Sequence, residues 1–105
     1  MHTVPLKKVT IIAEAVLEPQ IVREIRELGA TGYTVSEVRG EGSRGVRASE
    51  WEGRNVMVET LVGPETADRI LAHVSGTYFE HYAVVAYVAD VEVVRGAKYL
   101  ATEKE

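Results

Sequence analysis

Arg44 and Arg47 stand three residues apart in the segment Gly40 to Arg47, which reads Gly-Glu-Gly-Ser-Arg-Gly-Val-Arg. Arginine offers a planar, permanently charged donor fork that matches a phosphate or carboxylate. Glycine lets the backbone come close to a ligand, so the Gly42 amide and the Ser43 hydroxyl can converge with the arginines on one anion. Arg95, at the end of a long apolar run, is a further candidate cation. The plainer account of the same residues is a solvated, glycine-rich hairpin loop with surface arginines.

Other chemistry finds little support. The chain has no cysteine, which excludes disulfides and thiolate metal sites. His2, His73 and His81 have no ligand spacing, so no metal is required. No nucleophile elbow, Walker loop or paired-carboxylate motif is present. The formal net charge of −4 over 105 residues argues against nucleic acid as a partner, so any anion site is local. No apolar run approaches the ~20 residues of a membrane span, and direct membrane insertion is not expected. Met1 to Lys8 does not read as a signal peptide, which makes the cytoplasm the expected location.

The elements that must position these residues follow from periodicity. Lys7 to Glu14 is β-branched and short, and reads as a strand. Glu18-Pro19 opens a helix with proline at its first position. Ile21, Val22, Ile25 and Leu28 form its apolar stripe, Arg23, Glu24, Arg26 and Glu27 face water, and Gly29 stops it. Ala30 to Thr34 leads into a second strand, with Val35 and Val38, that ends at Arg39. The loop from Gly40 to Arg54 is about 15 residues long, a length that is usually functional or disordered. It carries the only tryptophan, Trp51, which either anchors a partner or folds back on its own domain. Asn55 to Val62 alternates as a third strand, with Glu59 the one charge inside it. Gly63-Pro64-Glu65 starts a second helix, with Ala67, Ile70, Leu71 and Val74 as its buried stripe and Gly76 as its end. An aromatic connector, Thr77 to Tyr82, leads to a long strand over Ala83–Val94. The far end of that strand is expected to pair or pack outside its own subunit, because so small a domain does not need its length. The tail from Thr102 is expected to fray.

The order β-α-β-β-α-β is the ferredoxin-like arrangement of the α+β class, in one domain spanning residues 1–105. Two helices cover one face of four strands, so the other face calls for cover by oligomerisation. An acylphosphatase-like hydrolase and an RNA-binding sheet share this fold. The first would need an arginine-bearing loop that Ala15 to Pro19 lacks, the second aromatics in the third strand and a basic surface.

Gly29-Ala30-Thr31-Gly32-Tyr33-Thr34-Val35, then Gly40 to Arg47, then Val58-Glu59-Thr60-Leu61 together resemble a PII-type signalling protein over nearly the whole chain. Gly-x-Gly-Ser-Arg-x-x-Arg after a Gly-Tyr-Thr strand is similar to the PII-like branch tied to inorganic-carbon uptake and carboxysomes. The resemblance implies a homotrimer with adenine nucleotides in the clefts between subunits and a mobile T-loop at about 40–54 that signals to a partner. Gly32 and Thr34 would border the adenine, with Glu59 and Leu61 lining the nucleotide. Gly42, Ser43, Arg44 and Arg47 would hold phosphate, joined by Arg95 across the cleft. The loop lacks the modifiable tyrosine of nitrogen-signalling members, and Gly76 to Tyr82 has one glycine and no lysine in place of their triphosphate-gripping loop. AMP, ADP or cyclic AMP therefore fits better than ATP, with bicarbonate as the second ligand implied. A bicarbonate transporter or a carboxysome-related protein is the partner implied, with Trp51 at the contact and no enzymatic activity. The alternative is a trimeric structural or metal-tolerance protein of the same fold. Weak nucleotide hydrolysis is a third reading.

Overall fold

Residues 3–14 form the central strand β1 (Thr3–Glu14), whose successive side chains point to opposite faces of the sheet and whose middle residues Val9, Thr10 and Ile11 are all buried. The computed structural model of the chain describes residues 1–40 and 54–100. The other elements are α1 (Glu18–Glu27), β2 (Thr34–Val38), β3 (Asn55–Val62), α2 (Pro64–Tyr78) and β4 (Val85–Val94). A single 3-10 turn, Ala15–Leu17, precedes α1, and another, Gly96–Tyr99, follows β4. The strands form one antiparallel sheet in the order β2-β3-β1-β4.

The register decides which side chains share a face. Val9 lies opposite Thr60 and Val88, and Ile11 opposite Val58 and Ala86, on the face that the helices cover. Ile21 and Ile25 of α1 and Ala67, Ile70 and Val74 of α2 pack there with Val9, Ile11, Val56, Val58 and Val62. The other face carries Thr10 opposite Glu59 and Tyr87, and Ile12 opposite Met57 and Val85. Tyr87 and Val85 are about half exposed on it. Thr10 is fully buried on this face, and its Oγ1 is a buried polar atom with no hydrogen-bond partner among the described residues.

The far end of β4 pairs with the start of its own chain. Val91, Glu92, Val93 and Val94 pair with Leu6, Pro5, Val4 and Thr3, which extends β1 four residues before the expected start at Lys7. Along one edge, the length of β4 is matched by this N-terminal extension. β4 begins at Val85 rather than Ala83, β2 ends at Val38 rather than Arg39, and Pro19 is the second residue of α1. Gly29 does close the first helix region, at φ 124, where a β-carbon would strain the backbone.

The second helix does not end at Gly76. It continues to Tyr78, because tertiary contact outweighs glycine's cost of about 1 kcal/mol in a helix. Tyr78 is buried, and its hydroxyl donates to Glu24 Oε1 at 2.6 Å. His73 Nε2 lies 3.1 Å from the same oxygen, and Gln20 donates to Glu24 Oε2 at 3.3 Å. Glu24, read from the sequence as a water-facing residue of α1, is thus the polar bolt between the two helices. Burial alone would raise its carboxyl. The hydrogen bonds from Tyr78 and His73, the charge of His73 and the contact with Gln20 outweigh that and hold it below the usual carboxylate range. Burial first, then the hydrogen bond to Glu24 and its charge, push the Tyr78 hydroxyl well above the usual tyrosine range.

Candidate functional site

Where β1 and β3 run past the segment that enters β2, the sheet edge opens into a pocket of about 550 Å³. Its floor is strand: Lys8 from β1 and Glu59, Thr60 and Leu61 from β3. One wall is the stretch Thr31 to Thr34, and the other is the C-terminal turn with Lys98 and Tyr99.

Each part is held by local chemistry. Thr34 lies opposite Glu59 in the β2–β3 ladder. Thr60 Oγ1 donates to the Gly32 carbonyl at 2.6 Å, which fixes the first wall to the floor. The Arg26 guanidinium sits 5.4 Å from the centre of the Tyr33 ring and ties that wall to α1. A β-carbon placed on Gly32 would meet nothing within 4 Å, so the glycine leaves open space along the wall. Lys8 Nζ lies 3.4 Å from Glu59 Oε2, and both are partly exposed. Glu59, the one charge inside β3, is thus paired with a lysine of the neighbouring strand.

Of the sequence-predicted residues, Gly32, Thr34, Glu59 and Leu61 come together around this pocket. Arg95 does not line the pocket of its own chain. It is exposed in the left-handed conformation, φ 63, where β4 turns into the final 3-10 turn. Gly42, Ser43, Arg44, Arg47 and Trp51 lie outside the described residues. Sequence reasoning missed Lys8, Lys98 and Tyr99. Lys8 is visible only once the register sets it beside Glu59, and the one signal for the others was a lysine-tyrosine pair after a glycine. Among the described residues, no group of three or more His, Cys, Asp or Glu side chains is placed to hold a metal ion. No helix among them is long and apolar enough to cross a membrane.

Among the described residues, a four-stranded antiparallel sheet, two helices on one face and a pocket at the mouth of β2 define a ferredoxin-like α+β protein of the PII type. The chain belongs to the nitrogen regulatory protein P-II family, whose model matches residues 6–98. It is similar to the crystal structure of a protein described as PII-like and signalling from Thermus thermophilus. Identity is 56%, with 95% of this chain and 100% of that one covered, at a TM-score of 0.84. It is also similar to CPII from Thiomonas intermedia solved with ADP, AMP and acetate, at 26% identity, 95% and 99% coverage and a TM-score of 0.82. The same CPII solved with ADP and bicarbonate matches at 28% identity, 92% and 96% coverage and a TM-score of 0.80. PII proteins are signalling proteins, generally without catalytic activity of their own and generally trimeric.

Proposed function

We propose that this protein is a non-enzymatic sensor of adenine nucleotides, with bicarbonate as a second ligand, that regulates inorganic-carbon uptake or fixation. The observation that carries the reading is the convergence of Gly32, Thr34, Glu59 and Leu61 on one pocket, in a chain similar to CPII, which was solved with ADP, AMP and bicarbonate. A pocket with a few convergent polar groups is the ordinary form of a small-ligand site.

In this reading Gly32 and Thr34 border the base, and Glu59 and Leu61 line the nucleotide. Gly42, Ser43, Arg44 and Arg47 take the phosphates at the base of a T-loop spanning about residues 40–54, and Trp51 meets the partner. The sites lie between the subunits of a homotrimer in the cytoplasm, with Arg95 reaching across each cleft. The sheet face opposite α1 and α2, with Tyr87 and Val85 about half exposed, supplies apolar surface for that assembly. The partner is a bicarbonate transporter or a carboxysome-related protein.

The test is calorimetric and thermal titration of the full chain with AMP, ADP and cyclic AMP, and with ADP plus bicarbonate. At 100 times its dissociation constant, a ligand of the native state adds ~2.7 kcal/mol of apparent stability. Saturable binding of at least one nucleotide, strengthened by bicarbonate for ADP, is expected. No binding of any of them would sink the reading.

A further inference from the structure

Thr10 stands in β1 between Val9 and Ile11 and is as fully buried as they are. Its Oγ1 has no hydrogen-bond partner among the described residues. A buried hydroxyl without a partner keeps the whole cost of leaving water, a cost that valine of the same shape would not carry. Elsewhere the sheet does satisfy such a group: Thr60, also buried, gives its hydroxyl to the Gly32 carbonyl at 2.6 Å.

The register places one acceptor beside Thr10. Thr34, Glu59, Thr10 and Tyr87 form a row across the four strands, each directly opposite the next. Directly opposite residues have β-carbons about 4.5–5.5 Å apart, within reach of a glutamate's two methylenes. A carboxylate only accepts, and a threonine hydroxyl can donate to it. Without ligand Glu59 is engaged by Lys8, two residues from Thr10 on the same strand and face. That pair is loose. Its 3.4 Å lies beyond the range of about 2.7–3.2 Å for a good N–H···O bond, and both side chains are partly exposed. Lys8 and Glu59 line the pocket, and Thr10 does not. An anion in the pocket attracts Lys8 and repels Glu59, and the hydroxyl opposite Glu59 is then placed to take up the carboxylate.

We infer that Thr10 is a positioning residue of this pocket, whose hydroxyl bonds the Glu59 carboxylate when an anionic ligand draws Lys8 away. The floor then has two arrangements, Lys8 on Glu59 without ligand and Thr10 on Glu59 with it. The inference rests on the nucleotide-sensing reading above for its ligand, a nucleoside phosphate, and adds a residue which that reading does not contain. A hydrogen bond to a carboxylate corresponds to roughly tenfold or more in affinity.

The experiment has two arms, both on the full chain. The first is urea unfolding, without ligand and at one protein concentration, of wild type, Thr10→Val, Lys8→Met and the double variant. Thr10→Val is expected to hold or raise the midpoint in wild type, because it removes an unpartnered hydroxyl. In Lys8→Met, where Glu59 has turned to Thr10, the same substitution should lower it. A lowered midpoint in wild type, or the same change in both backgrounds, overturns the inference. The second arm is calorimetric titration of wild type, Thr10→Val and Thr10→Ser with AMP and with adenosine. Thr10→Val should weaken AMP by about tenfold and leave adenosine unchanged, while Thr10→Ser stays near wild type because it keeps the hydroxyl. AMP binding that is unchanged in Thr10→Val, weakened in equal proportion with adenosine, or lost equally in Thr10→Ser overturns this inference and leaves the nucleotide reading standing. A wild type that binds neither ligand overturns both.

Discussion

Tyr78→Phe deletes one hydroxyl from the bolt between α1 and α2 and leaves the ring in place. The ring is 1% exposed, so its packing survives the change and the measured loss belongs to the hydrogen bond. That bond is short, 2.6 Å, and its acceptor is a carboxylate held below its usual pKa range, which places it among the charge-assisted bonds of about 1.5–3 kcal/mol. Glu24 keeps His73 and Gln20 and a side chain that is 16% exposed, so the carboxylate is not stranded when Tyr78 loses its donor. The expected loss is therefore at the low end, about 1.5–2 kcal/mol. At roughly 4–8 °C per kcal/mol for a domain near 100 residues, this lowers Tm by about 6–16 °C. The pH dependence carries a second signature. The Glu24 carboxyl is depressed in the folded chain, so its stabilisation is present above its unfolded value near 4.5 and is lost as pH falls below that. The Tyr78 hydroxyl is raised, so its contribution is complete below its unfolded value near 10 and is lost as pH rises above it. Urea titrations of wild type and Tyr78→Phe between pH 3 and 11 read both limbs. The variant should lose the tyrosine-dependent fall above about pH 10 and show a shallower fall below about pH 4.5. Equal stability of the two proteins at pH 7, with superimposable limbs, would refute the bolt.

Gly96→Ala should lose about 1–3 kcal/mol, because a β-carbon 2.7 Å from Val4 Cβ forces β1 or the turn to move; an unchanged urea midpoint would show that the turn yields freely. Ile70→Ala, at a fully buried position of α2 facing the sheet, should lose about 2–5 kcal/mol in the same assay, and a loss under 1 kcal/mol would contradict the packing described. Gly32→Val should stay within about 0.5 kcal/mol of wild-type stability, since its side chain meets open space, while weakening adenine-nucleotide binding by about tenfold or more; wild-type affinity in that variant would take the base away from this wall.

The parts of the fold written locally were legible in the sequence. Alternation set β3 at Asn55–Val62, and the spacing of Ile21 and Ile25 marked the buried side of α1. What misled was whatever depended on a partner distant in sequence. Gly76 looked like a helix stop because glycine's preference is local, while the contact that carries α2 past it joins residues 54 positions apart. Thr3 to Leu6, with proline among them, did not read as a strand; only pairing with Val91 to Val94 makes them one. The candidate site divides the same way. Gly32, Thr34, Glu59 and Leu61 were legible through family resemblance, whereas Lys8, Lys98 and Tyr99 reach the pocket through register and through a turn docked on both ends of the chain.

That docking joins the two halves of the pocket mechanically. The first wall is fixed to β3 by Thr60 and Gly32, and the second is fixed to β1 and β4 by the close seat of Gly96. Between them, the Lys8–Glu59 pair spans β1 and β3 on the face opposite α1 and α2. A ligand held by both walls would therefore bear on three of the four strands at once. A group that displaced Lys8 from Glu59 would also change the charge on the face proposed for assembly. An exposed pair of this kind contributes little to stability by itself, about 0–1 kcal/mol, so exchanging it for a ligand contact costs the fold little. In the proposed sensor this makes the floor of the pocket the part most easily rearranged, while both walls stay anchored by contacts that a ligand does not replace.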